Sequence, residues 1–212
     1  APDYGSVAGY QRDSSPGGAL FSAVLLENMF TSSGATLHRA RGCKQSVELT
    51  LLVRVGSERI NKAGTLAAVA AEISEVLPAV EVRDQLLVAR QRLDSAALIA
   101  INGGVRYLVL GGPLVVPSSM TVDDWAGAFV AHLFQRDENI VSHGSGLVTG
   151  TGPLQAVLEL KQLLRKRGRF LKAGDLLALG SIGFAVEPDT NGRFEAGFKT
   201  PFGSGRVVFA LR

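Results

Sequence analysis

Two glutamates, Glu48 and Glu81, interrupt runs of residues that otherwise suit buried strands. Glu48 opens Glu48-Leu49-Thr50-Leu51-Leu52-Val53-Arg54-Val55, and Glu81 breaks Leu77-Pro78-Ala79-Val80-Glu81-Val82. A carboxylate inside an apolar strand costs several kcal/mol unless it is paired or bound to a metal. Two of them suit a hard divalent cation with oxygen ligands, Mg²⁺ or Mn²⁺. On the residues alone, an exposed strand face accounts for either glutamate equally well.

Other chemistries find less support. The histidines are His38, His132 and His143, and no serine sits in a Gly-x-Ser-x-Gly elbow, so a nucleophile–base pair cannot be placed. The stretches Gly144-Ser145-Gly146, Gly150-Thr151-Gly152 and Gly180-Ser181-Ile182-Gly183 read as tight turns. Only the second opens a helix, and it lacks a P-loop lysine. The single cysteine, Cys43, excludes an intramolecular disulfide and a cysteine-rich zinc site. A net charge of +3 comes from scattered cations. The one dense cluster, Arg165-Lys166-Arg167 with Arg169, falls at a helix end, where cations complement the dipole. A nucleic-acid surface would need more length and interleaved aromatics. Apolar residues are 46% of the 212, enough for a sizeable core, yet no stretch has the ~18 uncharged apolar residues of a membrane span.

The elements that must hold the glutamates are partly visible. The Gly-, Ser- and Pro-rich residues 1–20 read as an irregular lead-in, and Ala19–Met29 as a strand or short helix. Glu48–Val55 reads as a strand closed by Gly56-Ser57. Thr65 is placed to cap a helix in which Leu66, Val69, Ala70, Ile73 and Leu77 keep the helical period until Pro78 stops it. Arg106–Leu110 reads as a strand, and Ala128–Phe134 with Ile140-Val141 as a hairpin around Asp137-Glu138-Asn139. The clearest helix runs from Pro153 to Arg167, with Thr151 or Gly152 before it and Gly168 ending it. Strands follow at Asp175–Leu179, Phe194–Phe198 and Arg206–Leu211. Several strands, two helices and no regular βαβ alternation indicate a mixed α+β fold.

In order and spacing these segments resemble the fumarylacetoacetate hydrolase superfamily, and within it the 2-keto-4-pentenoate hydratase and 4-oxalocrotonate decarboxylase branch. The match covers Leu25-Leu26-Glu27-Asn28-Met29, Val47-Glu48-Leu49, Leu77–Val82 and Val109-Leu110-Gly111-Gly112. It continues through Leu171-Lys172-Ala173-Gly174-Asp175, Leu179–Gly183, Gly192–Ala196 and Phe202–Val207. The resemblance implies a mixed β-sheet roll of the fumarylacetoacetate hydrolase C-terminal-domain type with a few peripheral helices, a single hydratase-like domain over residues 21–212. It also implies Mg²⁺ or Mn²⁺ held by three carboxylates, chelating a small 2-oxo acid and stabilising its enolate. Glu48 and Glu81 match two of those ligands, and Ser46 stands in the third position as a poorer, neutral ligand.

Other family positions have changed too. Gln11 falls where the family has an active-site lysine, and Asn102 survives from an Asp-Asn pair that is here Ile101-Asn102. Leu179 replaces a serine or threonine before the glycine. With Gln11 and Asn102, Lys44 is a candidate catalytic residue, since Arg83 or Lys44 could pair with a substrate carboxylate or equally be a surface cation. His143, Asp84 or Cys43 could restore a lost ligand. Two functions follow from the resemblance. One is a divergent hydratase, or related decarboxylase, acting on a small 2-oxo (2-hydroxydienoic) acid in aromatic catabolism. The other is a non-catalytic homologue serving as a binding or partner subunit, for which decarboxylase–hydratase assemblies are a precedent. A homo-oligomer or a hetero-oligomer with a related subunit is expected, without nucleic-acid or membrane partners. The expected location is cytoplasmic, or secreted or periplasmic if Ala1 follows a cleaved signal peptide.

Overall fold

The computed structural model describes residues 5–15, 17–39, 44–85, 94–127, 129–135, 139–147, 151–188 and 191–212. Among the described residues, two sheets and four α-helices make an α+β fold. The larger sheet contains β1 (Val7–Ser14), β2 (Leu20–Leu26), β3 (Phe30–Ser32), β5 (Lys44–Val55), β6 (Ile73–Gln85), β7 (Val105–Leu110), β8 (Leu114–Val115) and β11 (Leu176–Val186). Their order is β2-β1-β11-β5-β6-β7-β3, with β8 pairing β6. The smaller sheet holds β4 (Thr36–Leu37), β9 (Val130–Gln135), β10 (Asn139–Ser145), β12 (Gly192–Thr200) and β13 (Gly203–Leu211), in the order β10-β9-β12-β13-β4. The helices are α1 (Leu66–Ala70), α2 (Ser95–Ala100), α3 (Val122–Trp125) and α4 (Pro153–Arg165).

Strands β5 and β6 read as nearly continuous apolar runs because both faces of their sheet are covered. Val47, Leu49, Leu51 and Val53 of β5 point with Val76, Val80 and Val82 of β6 into the main core, which also takes Phe194 and Phe209 of the smaller sheet and Leu160 of α4. The alternate residues Leu52, Leu77 and Ala79 join Ala23, Leu25, Leu108 and Ala178 in a second apolar cluster on the opposite face. Period-two alternation therefore assigns Glu48 and Glu81 to that second face.

Four sequence expectations need correction. Within the supposed lead-in, Val7–Ser14 forms β1, which pairs in parallel with β11 and antiparallel with β2 and buries Tyr10, Gln11 and Arg12. Its polar composition hid a strand in which Gln11, Arg12 and Asp13 find charged partners inside: Glu81, Glu159 and Arg83. The helix after Thr65 ends at Ala70, and Ile73 and Leu77 belong to β6, because pairing along β5 buries both faces of this segment. Pro78 lies within β6 opposite Leu51; pairing with β7 begins one residue later, at Ala79↔Leu110. Gly180–Gly183 is no turn: it lies inside β11, where the register with β5 shifts between Ala178 and Ser181. The hairpin of β9 and β10 forms as expected, and α4 starts at Pro153 after Gly152. Ala128, Asp137, Glu138, Gly150 and Cys43 lie outside the described residues.

Gly9 decides how closely β1 approaches β11, since a Cβ there would run into the carbonyl of Leu176. Gly9→Ala should therefore push β1 off the sheet and cost about 1–3 kcal/mol, measured by urea unfolding. A variant as stable as the parent would contradict this packing.

Candidate functional site

The register of the larger sheet brings the two glutamates together: Glu48 of β5 lies directly opposite Glu81 of β6. Arg83, two residues beyond Glu81, shares its face, as Ser46 shares that of Glu48. From β1, Gln11 and Asp13 reach the same place. From β11 comes Ser181, and here the bulge matters. A one-residue insertion reverses which alternate residues face each side, so Ser181 pairs with Thr50 on the glutamate side while Ile182 enters the main core.

At the centre of this arrangement lies the Arg83 guanidinium. Its Nε is 2.6 Å from Glu81 Oε1 and 3.3 Å from Glu48 Oε1, ion-pair contacts without hydrogen-bond alignment. Nη1 donates to Asp13 Oδ2 at 2.6 Å and to the Gly103 carbonyl at 3.3 Å; Nη2 donates to Glu81 Oε2 at 3.4 Å. Gln11 Nε2 donates to both oxygens of Glu81 at 3.1 Å. Ser46 Oγ donates to Glu48 Oε1 at 3.3 Å, and the Ser181 hydroxyl donates to Glu48 Oε2. The Gly103 carbonyl is presented by a turn in which Asn102, Gly103 and Gly104 all have positive φ (54°, 70° and 74°). A side chain at Gly104 would also press on the Asp84 carbonyl, 2.8 Å away.

Glu81 is 1% exposed. Burial pushes its pKa up to about 7; Glu48 and Asp13 add to the rise, while Arg83 and the Gln11 amide oppose it. For Arg83, burial works against the charge, but Glu81, Glu48 and Asp13 outweigh it and hold the pKa above its usual value. The cluster opens to solvent through two recesses. One, of about 220 Å³, is lined by Arg12, Asp13, Glu48, Ser181 and Phe184. The other, of about 190 Å³, is lined by Ser46, Glu48, Arg83, Asp84, Ile101 and Glu187.

Of the residues singled out in the sequence, Gln11, Ser46, Glu48 and Glu81 meet here. Asn102 and Lys44 do not contact the carboxylates. The Asn102 amide clamps the backbone of Val24, accepting from its N–H at 2.7 Å and donating to its carbonyl at 2.8 Å. Lys44 makes an exposed pair with Glu187 at 3.4 Å. Asp84 is held by Arg106 and Gln45, and His143 stacks on His132 in the other sheet. Three contributors went unassigned in the sequence. In the sequence Arg83 reads equally as a partner for a substrate carboxylate and as a surface cation, Asp13 falls in the expected lead-in, and Ser181 in an expected turn. The alternation Glu81-x-Arg83 was the one signal that could have found Arg83.

As arranged, this donor set does not fit a divalent ion. Ligands to a hard cation turn lone pairs toward it, whereas Ser46, Ser181 and Gln11 turn donor hydrogens toward the carboxylates. Among the described residues no group of three or more His, Cys, Asp or Glu is placed to hold a metal.

No family model matches the chain. It is 24% identical over 187 residues to 2-keto-4-pentenoate hydratase 2 of Dechloromonas aromatica (strain RCB), a match covering 88% of this chain and 69% of the relative. With 2-keto-4-pentenoate hydratase 1 of the same organism it shares 24% over 172 residues, 81% of this chain and 63% of the relative. The chain thus spans about two thirds of the length of these curated relatives. Among solved structures it superposes on 4-oxalocrotonate decarboxylase from Pseudomonas putida G7, complexed with magnesium and adipate. There the TM-score is 0.82 at 20% identity, covering 98% of this chain and 78% of that one. Fumarylpyruvate hydrolase from Pseudomonas aeruginosa, in complex with Mn²⁺ and pyruvate, gives a TM-score of 0.66 at 12% identity, covering 100% and 98%.

Proposed function

We propose that the chain is a divergent member of the fumarylacetoacetate hydrolase superfamily, in its 2-keto-4-pentenoate hydratase and 4-oxalocrotonate decarboxylase branch, and a non-catalytic homologue serving as a binding or partner subunit. One observation supports this reading above the others. All four carboxylate oxygens of Glu48 and Glu81 already have partners within the protein, from Arg83, Gln11, Ser46 and Ser181. An ion entering between them would have to displace a charged group that is tied at three points, and a neutral hydroxyl stands where the third carboxylate would be. Arg83 has little to offer an incoming 2-oxo acid, because its charge already faces Asp13, Glu48 and Glu81 and both Nη groups already donate within the protein.

A second reading is favoured by the direct opposition of Glu48 and Glu81 beside two recesses. It is a divergent hydratase acting on a small 2-oxo (2-hydroxydienoic) acid with divalent-metal assistance. One assay separates the two. With 2-hydroxypentadienoate and millimolar Mg²⁺ or Mn²⁺, the wild type should show no hydration above the buffer rate, followed by loss of the dienol absorbance. Turnover that disappears in Glu48→Ala would overturn the non-catalytic reading in favour of the second.

A further inference from the structure

We infer that the guanidinium of Arg83 is the resident cation of this site, built into β6 at the point where its carboxylates would otherwise gather a divalent ion. The inference rests on the reading that metal-dependent turnover has been given up, and it names what took the metal's place. Three acids from three strands, Asp13, Glu48 and Glu81, converge on one point of the larger sheet. Their side chains are 16%, 11% and 1% exposed, too sheltered for water to screen them from one another. Such a cluster needs a cation at its centre, and Arg83 supplies one that cannot dissociate. Its place two residues from Glu81 on the same strand puts it on the required face without a change of backbone.

The surrounding groups agree with a guanidinium and not with an ion. A fixed fork of N–H donors needs acceptors around it and tolerates no lone-pair competitor from its own side. The Gly103 carbonyl and the Asp13 carboxylate accept from Nη1, while the hydroxyls of Ser46 and Ser181 and the amide of Gln11 donate to the carboxylates from outside. One of the three negative charges is thus offset from the centre, and the carboxylates are solvated by protein donors at the periphery. The site no longer depends on metal supply.

The test uses Mn²⁺ alone, with no substrate, on the full chain, and follows the loss of the free-ion electron paramagnetic resonance signal. The wild type and Arg83→Lys, which keeps a tethered cation, should bind no Mn²⁺ at millimolar ion. Arg83→Met should bind it, and adding Ser46→Glu to that variant should tighten binding by about tenfold, the worth of one charged ligand. If Arg83→Met folds only when Mn²⁺ is present, judged by circular dichroism, the ion is replacing the guanidinium and the inference stands. If it folds under neither condition, Arg83→Gln, which keeps hydrogen-bond donors to the acids, is measured in its place. Wild-type binding at Glu48 and Glu81 as tight as in the Arg83 variants overturns the inference, as does failure of the folded neutral variants to gain a site. Neither result depends on whether the wild type hydrates a dienol, so the functional reading stands or falls separately.

Discussion

Replacing Arg83 with leucine should destabilise the protein by about 3–5 kcal/mol at pH 8, the cost of removing one partner from a buried ion pair. The guanidinium is the only group in the described cluster that offsets Asp13, Glu48 and Glu81 together. Leucine fills part of the same volume, so the loss would come from charge and not from a cavity. Acid pH should soften the effect, because Glu81 then takes up a proton and one negative charge leaves the cluster. A quadruple variant, Arg83→Leu with Asp13→Asn, Glu48→Gln and Glu81→Gln, should recover most of the lost stability, since whole buried ion clusters are often replaced at little cost. Urea unfolding of the three proteins at pH 5 and pH 8 measures all of this. An Arg83→Leu protein within about 1 kcal/mol of wild type at pH 8 would mean the acids are hydrated and the burial described here is wrong.

Those acids also show how far a sequence can be read toward a site. Glu48 and Glu81 stood out because each breaks an apolar run, and that contrast survives without knowledge of pairing. Their direct opposition requires the register of β5 against β6, which is fixed by the burial of both faces of the sheet. Arg83 was visible as a residue, but its role depends on Asp13 arriving from β1. A strand as polar as Tyr10-Gln11-Arg12-Asp13 has no periodic apolar signal; it is stabilised by Gln11 on Glu81, Arg12 on Glu159 and Asp13 on Arg83. Ser181 was hidden for another reason. Its face is set by an irregularity at Gly180, and a bulge changes parity without changing composition. Asn102 looked chemical by position alone, yet its amide serves as a backbone clamp for Val24. The helix expected through Leu77 failed because residues spaced for a helix can also bury both sides of a strand, and the long neighbour β5 decided between the two.

Glu81 yields the second large effect, a loss of stability with rising pH that Glu81→Gln should abolish. Its ordinary pKa is 4.5 and its folded value about 7. The folded state therefore binds the proton more tightly than the unfolded chain. The corresponding stabilisation is present in full below pH 4.5 and drains away as pH rises through 7. Between pH 5 and pH 8 the difference amounts to about 2–3 kcal/mol. Glutamine keeps the size of the side chain and an oxygen that can accept from Gln11, but it does not titrate. The difference between wild type and Glu81→Gln, measured by urea unfolding at half-unit intervals of pH, cancels the ionising groups distant from Glu81 and leaves this residue with its coupled neighbours. The gap should widen between about pH 5 and pH 7 and level off by about pH 8, where the variant is the more stable protein. Parallel curves for the two proteins would mean that Glu81 keeps its ordinary pKa in the folded protein, and a gap of the opposite sign that Arg83 lowers it. The sign of this slope also bears on the centre of the site. A carboxyl committed to a divalent ion is held ionised, and its contribution to stability is lost as pH falls. A carboxyl buried against a single guanidinium with two competing acids gives the opposite trend.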